Sequence, residues 1–237
     1  MALGVIGGVG PMATAYFLER VVTMTDAETD QEHLEMLIYN RPSIPDRTAY
    51  ILGESEESPV PKITESALTL QRQGADSLCI LCVTAHTFYD EIVSSVSVPL
   101  IHMVRETACT LKDAGIKKAG VLATDGTISG GVFQKELLAS GITPVIPSEK
   151  EQKIIMHVIY HCVKANRPVD IRGFMQVVAS LQKQGAEMII LGCTELSVVK
   201  NIFHLGHGYL DVMDVLARKV ILDGGKRLKP AYQELIQ

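Results

Sequence analysis

Cys82 and Cys193 close two copies of one segment: residues 70–82 read LQRQGADSLCILC and residues 181–193 read LQKQGAEMIILGC, 111 positions apart throughout. Differences between the copies include like-for-like changes, with Arg72 against Lys183 and Asp76 against Glu187. Two equivalent thiols made by duplication can face each other across a pseudo-twofold axis and address both faces of one carbon. Racemising an amino acid has that requirement, because a base takes the Cα proton from one face while an acid returns a proton to the other. A cysteine serves as the base once its ordinary pKa of about 8.5 is lowered, and the free amides of a helix N-terminus favour the thiolate. Both cysteines stand where a strand is expected to give way to a helix, before Thr84-Ala85-His86 and before Thr194-Glu195-Leu196.

The elements that must carry these thiols follow from periodicity. Short runs rich in β-branched residues at 3–6, 34–39, 77–81, 99–101, 121–123, 143–146 and 188–191 predict buried strands. Amphipathic stretches at 13–24, 63–73, 104–114, 133–139, 153–165 and 171–184 predict helices between them. Such alternation gives an α/β fold with parallel sheets flanked by helices. The repeat predicts two similar domains related by a pseudo-twofold axis, 1–98 plus a C-terminal return at 209–237, and 99–208. Ligands of open parallel sheets sit beyond the carboxyl ends of the strands, where both cysteines fall.

The chain has 237 residues, 47% of them apolar, and a net charge of −5, which suits a globular protein with an ample core and argues against a basic nucleic-acid binder. No apolar run approaches the roughly 20 residues of a membrane helix. Met1 leads straight into the first expected strand without a leader pattern, so a cytoplasmic protein is expected. The five cysteines are odd in number and scattered, as in a reducing compartment. Cys79, Cys109 and Cys162 are expected to be packing residues. Cys79 and Cys82 have the spacing of a redox or zinc motif, but residues three apart on a strand lie roughly 10 Å from each other on opposite faces, and no second such pair exists.

Gly7-Gly8-Val9-Gly10-Pro11-Met12-Ala13-Thr14, Ile44-Pro45-Asp46-Arg47-Thr48, Cys82-Val83-Thr84-Ala85-His86, Ala123-Thr124-Asp125-Gly126-Thr127 and Gly192-Cys193-Thr194-Glu195 together resemble the cofactor-independent aspartate/glutamate racemases, the aspartate racemase branch above all. The resemblance spans essentially the whole chain. It implies two similar α/β domains with the site between them, a homodimer, and catalysis without pyridoxal phosphate or metal. It makes Cys82 and Cys193 the acid/base pair. Arg47 and Lys164 resemble the cations that hold the substrate's side-chain carboxylate. Thr84, Thr127 and Thr194 resemble contacts to its α-carboxylate. The implied substrate is a small acidic amino acid, aspartate first and glutamate second. The chain departs from the family pattern at Val83, where asparagine is usual, which removes an amide hydrogen bond worth about 0.5–1.5 kcal/mol.

Other readings compete at individual residues. Arg47 and Lys164 also suit a loop cation and a helix-end charge, His86 a packed histidine, and Glu195 a favourable acid in a first helical turn that would raise a neighbouring thiol. Gly4-x-x-x-Gly8-x-Gly10 and Tyr160-x-x-x-Lys164 match fragments of NAD(P)-dependent short-chain oxidoreductases. The expected second strand, however, ends on Tyr39-Asn40 with no acid for a ribose hydroxyl. A non-catalytic scaffold that binds acidic metabolites is the third alternative.

Overall fold

In the computed structural model, which describes residues 1–236, seven strands and eleven α-helices alternate along the chain. The strands are β1 (Ala2–Gly7), β2 (Glu35–Asn40), β3 (Ser77–Ile80), β4 (Lys118–Leu122), β5 (Thr143–Val145), β6 (Met188–Leu191) and β7 (Tyr209–Asp211). The helices of the first half are α1 (Pro11–Met24), α2 (Arg47–Ile51), α3 (Val60–Arg72), α4 (Tyr89–Val93) and α5 (Met103–Asp113). Those of the second are α6 (Asp125–Ser129), α7 (Val132–Ala139), α8 (Glu149–Met156), α9 (Ile171–Lys183), α10 (Thr194–Phe203) and α11 (Val212–Asp223). None is long and apolar enough, among the described residues, to cross a membrane.

Two all-parallel sheets result, β2-β1-β3 and β5-β4-β6-β7. The run at 99–101, expected to be a strand, contributes a single bridge between Leu78 and Leu100. Pro99 has no N–H to extend that ladder, and α5 begins two residues beyond the expected strand. The bridge nevertheless preserves the duplication. Leu78 pairs with Leu100, and Ile189, its counterpart in the repeat, pairs with Tyr209.

The repeated segments end alike. Gly74 and Gly185 follow α3 and α9 at φ of 95° and 93°, which lets Ala75 and Ala186 donate back to Leu70 and Leu181, both at 3.1 Å. This left-handed turn closes the helix and points the chain straight into β3 or β6.

The boundary expected at residue 209 lies one strand too early, because β7 is hydrogen-bonded to β6 in the second sheet. Beyond it, α11 packs on α1 and α5, while α5 packs on α7. The closing helix of each half therefore lies against a helix of the other. One core follows from this exchange, joining Leu3, Val5, Phe17 and Val21 to Val121, Phe133, Leu216 and Val220. Along β3, side chains alternate between this shared core (Cys79, Leu81) and a flanking one (Leu78, Ile80), as the pleat requires.

Candidate active site

β3 and β6 deliver Cys82 and Cys193 just past their carboxyl ends, 7% and 6% exposed. Cys82 leads into a 3-10 turn at Thr84–Phe88, and Cys193 is the N-cap residue of α10. The Cys193 Sγ–H donates to Glu195 Oε2 at 2.9 Å, and Thr194 Oγ1 donates to the same oxygen at 3.3 Å. Glu195 Oε1 is buried without a partner. It lies 2.6 Å from where a Cβ on Gly10 would stand, so only glycine fits there, at a φ of 133°. Burial, followed by the Glu195 carboxylate, pushes the Cys193 thiol well above its ordinary range, with Lys164 opposing.

Arg47 belongs to the first thiol. The proline-rich stretch before it ends at Asp46, whose carboxylate caps α2 by accepting from the Ala49 N–H at 2.9 Å. This cap aims Arg47 inward, where it is 7% exposed. Its Nη1 donates to Pro45 O at 2.9 Å and Ile44 O at 3.4 Å, its Nη2 to Val9 O at 3.3 Å, and its Nε has no partner. Burial opposes the guanidinium charge, but Cys82 and Asp46 beside it more than offset that cost.

Lys164 arrives from the second half. The helix expected at 153–165 is α8 continued by a π-helical stretch, His157–Val163, after which the Lys164 N–H reaches Ile159 O, five residues back, at 3.0 Å. Wide turns of this kind recur at functional sites. Lys164 Nζ sits 4.0 Å from the centre of the Tyr160 ring and 3.9 Å from Asp46 Oδ2. Burial works against its charge, yet Glu195, Tyr160 and Cys193 together raise its pKa despite Arg47 nearby. Each thiol thus has a cation beside it, one contributed by each half.

The hydroxyls form two groups. Thr84 of the first half meets Thr124 and Thr127 of the second in a buried triangle with edges of 2.9, 2.9 and 3.0 Å. Thr194 lies apart from it, bonded to Glu195. Val83 is buried in the shared core and is not among the residues that line the cleft. His86 uses both ring nitrogens: Nδ1–H donates to Cys82 O at 2.9 Å and Nε2 accepts from the Met103 N–H at 3.2 Å. Burial first, then His102, lowers its pKa to about 4, so it is a neutral packing residue.

An open cleft of about 500 Å³ runs between the glycine turn (Gly8, Gly10, Pro11), the Asp46–Arg47 corner, Lys164 and Glu195. The thiols lie outside its lining, each next to one of its charged residues. Glu195 stands beside Cys193 and raises it, as its place in the sequence suggested, whereas Asp46, Tyr160 and Thr124 are polar groups to which the racemase resemblance gave no part. Asp46 is recoverable as the capping residue of its motif; the Tyr160 contact spans 114 residues and leaves no local trace.

Among the other cysteines, Cys79 and Cys162 are buried and free, as expected, whereas Cys109 is exposed. It falls on the side of α5 opposite Val104, Ala108 and Leu111, which face the core. The oxidoreductase fragments have different partners here. The glycine turn faces the Glu195 carboxylate, which would repel a diphosphate, and the Tyr160 hydroxyl is donated to Asp46.

Residues 6–220 match the family model for Asp/Glu/Hydantoin racemase. The broad specificity amino-acid racemase of Bacillus subtilis is 28% identical over 224 residues, covering 92% of this chain and 96% of its own. The aspartate racemase of Picrophilus torridus superposes with a TM-score of 0.87 at 33% identity, over 100% of this chain and 99% of its own. An aspartate racemase homologue from Pyrococcus horikoshii shares the fold, with a TM-score of 0.75 at 22% identity, over 94% of this chain and 99% of its own. The chain that carries these paired thiols belongs to the Asp/Glu/Hydantoin racemase family.

Proposed function

We propose that this isomerase, an amino-acid racemase, acts on a small acidic amino acid, aspartate first and glutamate second, by proton transfer between Cys82 and Cys193. One observation carries the reading: two cations, the buried Arg47 and the partly exposed Lys164, line one cleft, Arg47 beside Cys82 and Lys164 beside Cys193. Two cations suit a substrate with two carboxylates, and their fields act on the negative charge that develops at Cα. In each turnover one thiolate accepts the Cα proton while the opposite thiol donates its own, so each cysteine exchanges state and no cofactor is consumed. The α-carboxylate is assigned to Thr84, Thr127 and Thr194 by the family resemblance; these hydroxyls are buried and lie outside the lining of the cleft.

Further support comes from the 33% identity to the Picrophilus torridus aspartate racemase. The same reading carries a cytoplasmic homodimer.

Incubating each enantiomer of aspartate and glutamate in deuterated water tests it, following optical rotation and deuterium at Cα. Exchange with loss of rotation is the expected result, and no exchange with any of the four would falsify it. Cys82→Ser and Cys193→Ser should each abolish racemisation. A single variant that keeps full activity in both directions would sink the two-thiol mechanism.

A further inference from the structure

We propose that Glu195 is a positioning residue that holds the proton on Cys193, so that when one of the two thiols is ionised the negative charge falls on Cys82. The duplication that makes the thiols equivalent fails one step later. Shifted by the 111-residue repeat, Glu195 corresponds to Thr84 and Thr194 to Val83, so only the second thiol has a carboxylate beside it. That carboxylate is in contact: Cys193 Sγ lies 2.9 Å from Glu195 Oε2, within a site where the two residues are 6% and 4% exposed. A hydrogen must lie between those atoms. Removing it would press two anions together where little water screens them. Glu195 Oε1 accepts no hydrogen bond, and besides Cys193 the one side-chain donor to Oε2 among the described residues is the Thr194 hydroxyl, at the longer distance of 3.3 Å.

The charged groups facing each sulfur point the same way. Glu195 and Lys164 face Cys193, and burial together with Glu195 outweighs the lysine. Arg47 faces Cys82. His86, the remaining titratable neighbour, is neutral and bonded to the Cys82 carbonyl rather than to its sulfur. At Cys82, among the described residues, no carboxylate accepts from the sulfur.

Turnover from this state balances simply. The Cys82 thiolate takes the Cα proton and becomes a thiol, while the Cys193 S–H gives its proton to the opposite face. Cys193 is then a thiolate against Glu195, and the enzyme returns to rest by gaining a proton there and losing one at Cys82. Free enzyme is thus set for the enantiomer whose Cα–H faces Cys82. Enantiomers have equal free energies, so kcat/KM stays the same in both directions, and the bias shows in kcat and KM separately.

The catalytic consequence rests on the two-thiol reading of the preceding subsection, but the protonation order is measurable without turnover. Far-ultraviolet thiolate absorbance is titrated for the wild type, Cys82→Ser, Cys193→Ser and Glu195→Gln, and differences isolate each sulfur. The expected result is that Cys82 ionises first, with Cys193 following at least about one pH unit higher. Glu195→Gln should bring the Cys193 midpoint down by about one unit or more and leave Cys82 in place. Cys193 ionising first, or a Cys193 midpoint unmoved by Glu195→Gln, overturns the proposal. Should the glutamine variant not fold, Glu195→Ala gives the same comparison. The expected titration in a protein that exchanges no acidic amino acid upholds the Glu195 assignment and refutes the acidic-substrate reading alone.

Discussion

Tyr160 donates its hydroxyl to the Asp46 carboxylate, 3.0 Å from Oδ2 and 3.2 Å from Oδ1, and so ties the π-helical stretch of the second half to the cap of α2 in the first. The same carboxylate holds the Ala49 N–H and lies near Lys164. Asp46 therefore sets the positions of both cleft cations. Burial works against its charge, but Ala49, Lys164, Arg47 and Tyr160 together hold its pKa below the ordinary value. Tyr160→Phe removes the tie without changing shape much. It should cost about 1–2 kcal/mol in urea unfolding and raise KM more than it lowers kcat.

Arg47→Lys should behave as a severe substitution. The guanidinium spans Pro45, Ile44 and Val9 carbonyls while still facing Cys82, a fork that a single ammonium cannot reproduce. Racemisation should fall about a hundredfold, with unfolding free energy lower by about 1–3 kcal/mol. Retention of wild-type rates by the lysine variant would refute this role.

Gly10→Ala places a Cβ within 2.6 Å of Glu195 Oε1 at a φ of 133° that L side chains rarely adopt. The backbone strain should cost about 1–3 kcal/mol. The larger effect should be on chemistry, since the carboxylate must swing away from Cys193. A thiolate titration of this variant should show the Cys193 midpoint moving down, the direction expected for Glu195→Gln.

His86 gives the fold a pH dependence of definite sign. Its pKa is about 4 when folded against an ordinary 6.5, so between those values the unfolded chain binds the extra proton. The stability that His86 contributes is therefore complete above pH 6.5, falls as the pH drops toward 4, and levels off below it. The loss is about 3 kcal/mol across that window. Denaturant midpoints for wild type and His86→Gln should converge as the pH is lowered from 7.5 to about 4.5, and parallel curves would exclude histidine as the cause.

The strand and helix positions were legible because β-branched runs and amphipathic periods differ so plainly, and the glycines after α3 and α9 mark their ends. The paired thiols were legible because duplication repeats thirteen positions in register. The strand at 99–101 was overestimated, since composition alone does not reveal that Pro99 and the onset of α5 leave room for one bridge. Tyr160 and Lys164 illustrate the other limit. Four residues of spacing fit an oxidoreductase signature and a racemase cation equally, and what decides between them is Asp46, far away in sequence.

The exchanged helices bear on how such a chain arose. With α11 resting on α1 and α5 on α7, a single half cut from the protein would expose the apolar surface that the other half's helix now covers. An ancestor of half this length would have been stable only as a pair of copies trading their last helices. Its cleft would have carried two identical sulfurs with identical neighbours. Two halves within one chain are free to differ, and here one thiol has beside it a carboxylate that its counterpart lacks.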